Sequence, residues 1–131
     1  MAAFPLLISP FVLMNALMLL VDGGLALKIM TITLPSDAVW VLSSGDAVVA
    51  IALVFLYLEI FKSTRTGNSS IVDHVLSLVL FIVMLMEFVL VKGAGHSTFF
   101  LLMLMALIDV ISGFTVGISV ARRDVGFTRD A

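Results

Sequence analysis

Cysteine is absent from the 131 residues, which excludes disulfides, thiolate nucleophiles and zinc-thiolate centres and leaves the redox compartment unread. Charge is scarce as well. Seven Lys plus Arg and nine Asp plus Glu make 12% of the chain, near half the ~25% of an ordinary soluble domain. The balance of −2, with a pI near 5.4, offers no basic face to a nucleic acid. Motifs of catalysis are missing too: no H-E-x-x-H, no G-x-S-x-G, no G-x-G-x-x-G and no P-loop. Apolar residues fill the space instead, at 62% against the usual ~45–50%. A disordered chain is thereby excluded, a water-soluble globule is disfavoured, and the length fits one domain.

The apolar residues fall into four blocks with approximate limits 4–22, 44–62, 71–92 and 97–121. Crossing ~30 Å of hydrocarbon takes about 20 mostly apolar residues at 1.5 Å rise each. The expectation is an all-α membrane protein, a four-transmembrane-helix bundle forming one integral domain over 1–131. The third block is apolar on every side from 75 to 86, as a helix surrounded by lipid or other helices must be. The first block has no basic n-region and no small-residue cleavage site before Asp22, so it reads as a mature helix and not as a signal peptide. Lys62, Arg65, Arg122, Arg123 and Arg129 fall on one side of such a bundle and only Lys28 and Lys92 on the other. Five against two places both termini in the cytoplasm of a cell with this protein in its inner membrane.

Between the first two blocks the period changes. Asp22-Gly23-Gly24 ends a helix, because glycine accepts the left-handed conformation at C′. Residues 29–34 and 38–43 are rich in β-branched and aromatic side chains and flank the turn Pro35-Ser36-Asp37. A short extracytoplasmic β-hairpin over about 28–43 is expected, with Trp40 as an anchor at headgroup level; the alternative extends the second helix back to Asp37. Ser43 or Ser44 with Asp46 caps helix two, and Ser70-Ile71-Val72-Asp73 resembles a capping box opening helix three.

Ionisable groups within hydrocarbon cost several kcal/mol and are functional candidates. Asp22, Asp37, Asp46, Asp73, Asp124 and Asp130 lie at block ends, in loops or in the tail, where water and backbone donors serve them. Glu59, about one turn from the end of its block, has Lys62 at i+3 as an ion-pair partner, or His74 as a partner in a proton relay. Glu87 lies nearer the other side, where Lys92 or His96 could reach it. Asp109 stands about 18 Å from either end of the fourth block, and there it must be neutralised or hydrogen-bonded by its neighbours. Asn15 comes to a similar height when helices alternate in direction, so an Asn15 to Asp109 hydrogen bond is expected, with Ser112 as a further partner. No second carboxylate is expected at the depth of Asp109, which argues against an aspartyl dyad and against an enzyme.

The fourth block also carries Gly113-Phe114-Thr115-Val116-Gly117, a GxxxG that permits close backbone approach. Ala106, Asp109, Gly113, Gly117 and Ala121 follow one another at three or four residues and share a face. That face serves either packing within the bundle or association with another helix. The two histidines lie toward opposite sides of the membrane and cannot together hold a metal or haem, and the methionines 14, 18, 84, 86, 103 and 105 read as packing. No cofactor is expected.

The stretch 33–46 (TLPSDAVWVLSSGD), Ser70-Ile71-Val72-Asp73-His74 and 107–114 (LIDVISGF) resemble a group of small uncharacterised bacterial four-helix membrane proteins, a resemblance that covers most of the chain and implies a fold without an activity. Small multidrug-resistance proteins match in length and helix number but place a membrane-embedded Glu in the middle of the first helix, where this chain has Asn15. The functional expectation is a non-enzymatic accessory or scaffold subunit of the lipid bilayer that self-associates or docks on a larger membrane complex. The alternative is a small proton- or cation-coupled transporter or channel using Asp109.

Overall fold

A computed structural model describes residues 4–64 and 68–130, without the side chains of 68–70, 120 and 123–130. The loop cation Arg65, the capping residue Ser70 and the tail residues Arg123, Asp124, Arg129 and Asp130 therefore fall outside the described side chains. Four helices run up and down: α1 (Ile8–Leu20), α2 (Ser44–Ser63), α3 (Asn68–Leu90) and α4 (Ser97–Asp130). Strands β1 (Lys28–Thr33) and β2 (Val39–Ser43) stand between α1 and α2. The starts of α1 and α3 and the close of α2 share one end of the bundle, here the polar end. The hairpin occupies the other.

Three helices, Ser44–Ser63, Ile71–Leu90 and Ser97–Ser119 within the longer elements, are long and apolar enough to cross a membrane. The first block differs from expectation. Its helix has 13 residues, about 20 Å of rise, and falls short of a ~30 Å hydrocarbon layer. Residues beyond Leu20 turn instead: Gly23 and Gly24 adopt φ of 85° and 49°, and Gly24–Ala26 forms a single 3-10 turn. Its backbone is paired within the protein. Ser44 Oγ donates to the Gly24 carbonyl at 2.6 Å and the Ser44 amide to the Leu27 carbonyl at 2.8 Å. Irregular backbone at membrane depth requires such protein partners, since lipid offers none.

The hairpin forms as the strand-rich pattern predicts. Thr33 pairs with Val39, Ile32 with Trp40, Thr31 with Val41 and Met30 with Leu42, antiparallel, and an irregularity between Lys28 and Met30 closes the ladder. Asp37 takes a left-handed φ of 64°, the third position of a three-residue loop, where a short polar side chain is tolerated. β2 passes into α2 without a linker through a complete capping box: Ser43 Oγ accepts the Asp46 amide and Asp46 accepts the Ser43 amide, both at 3.1 Å. The expected box at Ser70 and Asp73 is corrected, because α3 begins at Asn68 and the Asp73 carboxylate turns inward to Lys62.

The core runs along a single stripe of each long helix. Val48, Ala52 and Leu56 of α2, Leu80 and Met84 of α3, and Phe99, Leu102 and Ala106 of α4 are buried, with Leu7 and Met14 of the first segment against them. At the hairpin end Phe99 meets Phe11 edge-on at 6.3 Å and stacks on Phe88 at 5.9 Å, arrangements favoured by the ring quadrupole.

Candidate functional site

Continuing down those stripes toward the polar end, each long helix exchanges apolar for acidic. Glu59 follows Leu56, Asp73 precedes Ser77 and Leu80, and Asp109 follows Ala106. The three carboxylate residues are 1%, 3% and 5% exposed. Lys62, one turn beyond Glu59, reaches across them: its Nζ donates to the Phe4 carbonyl at 2.6 Å, to Asp73 Oδ1 at 3.1 Å and to Glu59 Oε1 at 3.3 Å. That uses all three donors of an ammonium. Glu59 Oε1 also accepts the Leu6 amide, so α2 holds the start of α1 by a donor and an acceptor together. Asp109 lies beside Ser77 and within electrostatic range of Glu59, Asp73 and Lys62. Every buried side-chain nitrogen or oxygen has a partner among the described residues.

This arrangement departs from the sequence expectations at several residues. Asn15 does not reach Asp109. Because α1 starts level with Glu59, Asn15 is raised toward the hairpin end, where its Nδ2 donates to the Phe11 carbonyl at 3.1 Å and, at the long limit of 3.5 Å, to Glu87 Oε2. Ser77, and not Ser112, is the serine beside Asp109, and Glu59 and Asp73 are the neighbouring carboxylates that Asp109 is expected to lack. Lys62 pairs with Glu59 as the i+3 spacing implied; His74 does not join them. Asp73, expected to be a solvated helix-end acid, is instead a buried partner of Lys62. Its signal was present in the sequence, since Asp73, Ser77, Leu80 and Met84 fall at i, i+4, i+7 and i+11 on one face. The Phe4 carbonyl and Leu6 amide are backbone groups that no residue type announces.

Glu87 takes Asn15 and not Lys92 or His96. His96 Nδ1 accepts the Phe99 amide at 3.1 Å, capping α4, and its Nε2 lies 3.3 Å from Met18 Sδ. With Nδ1 accepting, the neutral ring carries its proton on Nε2. Burial among these apolar side chains holds the His96 imidazole below its ordinary 6.5.

No family model, curated protein or solved structure matches this chain. A groove of about 290 Å³ lies between α3 and α4 near the polar end, lined by Ile71, His74, Val75, Gly113, Phe114, Gly117, Ile118 and Ala121. Its two glycines behave differently. A Cβ on Gly113 would meet His74 Nδ1 at 2.6 Å, whereas a Cβ on Gly117 would meet nothing within 4 Å. The small face of α4 is thus divided. Ala106, Asp109 and Gly113 are buried within the bundle, while Gly117 and Ala121 open into the groove.

Proposed function

We propose that this chain is a non-enzymatic accessory or scaffold subunit of the bacterial inner membrane, a four-helix bundle that receives a helix of a partner, a second copy or a larger complex, in the groove between α3 and α4. The observation that carries the reading is the open Gly117 backbone beside a filled Gly113. Small residues with space above them permit the close backbone approach on which helix association in lipid depends, and here that space is apolar and faces outward. The polar end then faces the cytoplasm with both termini, following the placement of Lys and Arg, and the resemblance to small bacterial four-helix membrane proteins rests on the residues quoted above. Filling the groove tests the proposal. Native mass spectrometry after gentle extraction should find species heavier than the 14.1 kDa chain, lost in Gly117→Leu and kept in Ile82→Leu, a substitution elsewhere on α3. Recovery of the monomer alone, or complexes indifferent to Gly117→Leu, refutes it.

One observation favours a second reading. Glu59 and Asp73 share a single ammonium with a third buried carboxylate, Asp109, nearby, and membrane-embedded acids commonly mark proton or ion routes. In that reading Asp109, with Glu59 and Asp73, exchanges protons or cations between the helices. Proteoliposomes decide it: flux that is present in the native chain and abolished by Asp109→Asn supports transport, and no flux above empty vesicles removes it.

A further inference from the structure

The hairpin presents two unlike faces. The register places Met30, Ile32 and Leu34 of the first arm beside Trp40 and Leu42 of the second on one side, and Thr31 and Thr33 with Val39 and Val41 on the other. The first side is wholly apolar, yet Met30, Ile32, Leu34 and Trp40 are all exposed, Trp40 at 46%. A two-stranded ribbon is marginal alone in water, so its apolar side requires an apolar surface. Hydrocarbon is forbidden to it, because both outer edges carry unpaired N–H and C=O groups that lipid tails cannot satisfy. The headgroup boundary meets both demands, with acyl chains beneath the apolar side and water at the edges and at the threonine hydroxyls.

The apolar surface of the hairpin is also continuous with that of the helices. Leu19, Leu20 and Val21 at the close of α1, and Val89, Leu90 and Val91 at the close of α3, are exposed at the same end of the bundle. The hairpin joins α1 to α2 without a flexible linker on the α2 side, and its only charges are Lys28 at the base and Asp37 at the tip. We infer that the hairpin lies on the membrane surface at the hairpin end, the Met30, Ile32, Leu34, Trp40 and Leu42 side pressed on the acyl-chain boundary, as a lipid-contact surface separate from the α3–α4 groove. This inference rests on the reading that the long helices cross a bilayer.

Trp40 is the only tryptophan in the chain and reports the contact without any substitution. The full chain is reconstituted in phosphatidylcholine vesicles, and flotation with them checks the membrane reading by itself. In floated protein, phosphatidylcholine brominated near the headgroup end of its chains should lower Trp40 emission about twofold, more than bromine near the chain ends, while aqueous iodide has little effect. Ile32→Lys should abolish the bromolipid quenching, and Thr31→Lys, one residue away on the opposite side, should retain it. Iodide quenching without bromolipid quenching in floated protein overturns the inference and leaves the membrane reading intact. So does equal behaviour of the two lysine variants. Protection from both quenchers that disappears on dilution into excess lipid overturns it in favour of strand pairing between two copies. Failure to float overturns both.

Discussion

Two glycines of one motif, a single turn of α4 apart, should respond oppositely to the same methyl group. Each Gly→Ala change in α4 gains a similar helix-propensity increment, about 1 kcal/mol in soluble hosts, so the difference between the two variants isolates their surroundings. At Gly113 the new Cβ would stand 2.6 Å from His74 Nδ1, 2.9 Å from Cε1 and 3.1 Å from Cγ; at Gly117 it would have nothing within 4 Å. The imidazole must leave its place or α4 must move off α3, and overpacking of this kind costs about 1–3 kcal/mol. Gly113→Ala is therefore expected to be about 1–3 kcal/mol less stable than Gly117→Ala. Unfolding by SDS in mixed micelles, followed by far-UV circular dichroism, measures both. His74→Ala removes the obstacle, so in that background the two alanine variants should agree, as a double-mutant cycle requires of a direct contact. The reasoning fails if the variants lie within about 0.5 kcal/mol of each other, or if their difference survives His74→Ala.

Three further outcomes follow from the same geometry. Lys62→Met leaves Glu59 and Asp73 buried without their shared cation and should destabilise the bundle by about 3–5 kcal/mol, with Lys62→Met combined with Asp73→Asn recovering part of the loss in the same unfolding assay. Asp37→Val forces a β-branched residue into φ of 64° and should cost about 1–2 kcal/mol, read as a shift of Trp40 emission at lower denaturant, whereas Asp37→Gly should be neutral or stabilising. Burial lowers His96 below 6.5, so the unfolded chain takes up the proton first. Its contribution to stability is then full above about pH 6.5 and declines as pH falls through the folded-state value. Midpoints measured across that window should decline on acidification in the native chain and decline less in His96→Asn.

The hairpin and the long helices were legible because each has its own period: alternation over 29–34 and 38–43, and apolar runs long enough to cross a bilayer after Ser43. Serine and aspartate at helix two were legible because a capping box is local chemistry. Depth was harder to read. Counting Asn15 and Asp109 from the edges of their apolar blocks set them at one height, but the first block yields a helix that stops at Leu20, its start hooked to Glu59 and Lys62, and this displaces Asn15 to Glu87. Hydropathy measures how many residues prefer lipid and carries no information about where a helix is fastened. Asp73 is hard to place for a related reason: closeness to a block end suggests water, while the spacing of four to Ser77 and seven to Leu80 marks the inward stripe. The division of the GxxxG between Gly113 and Gly117 required His74 to be placed, and only tertiary packing does that.

The shortness of α1 also bears on the order in which the chain assembles. An apolar helix of 13 residues is shorter than the ~17–25 residues of a self-sufficient membrane span. The carboxylate and ammonium that satisfy its opening amide and carbonyl are synthesised 53 and 58 residues later. The start of α1 can therefore be fastened only once α2 has been made, so the two settle as one hairpin-linked pair.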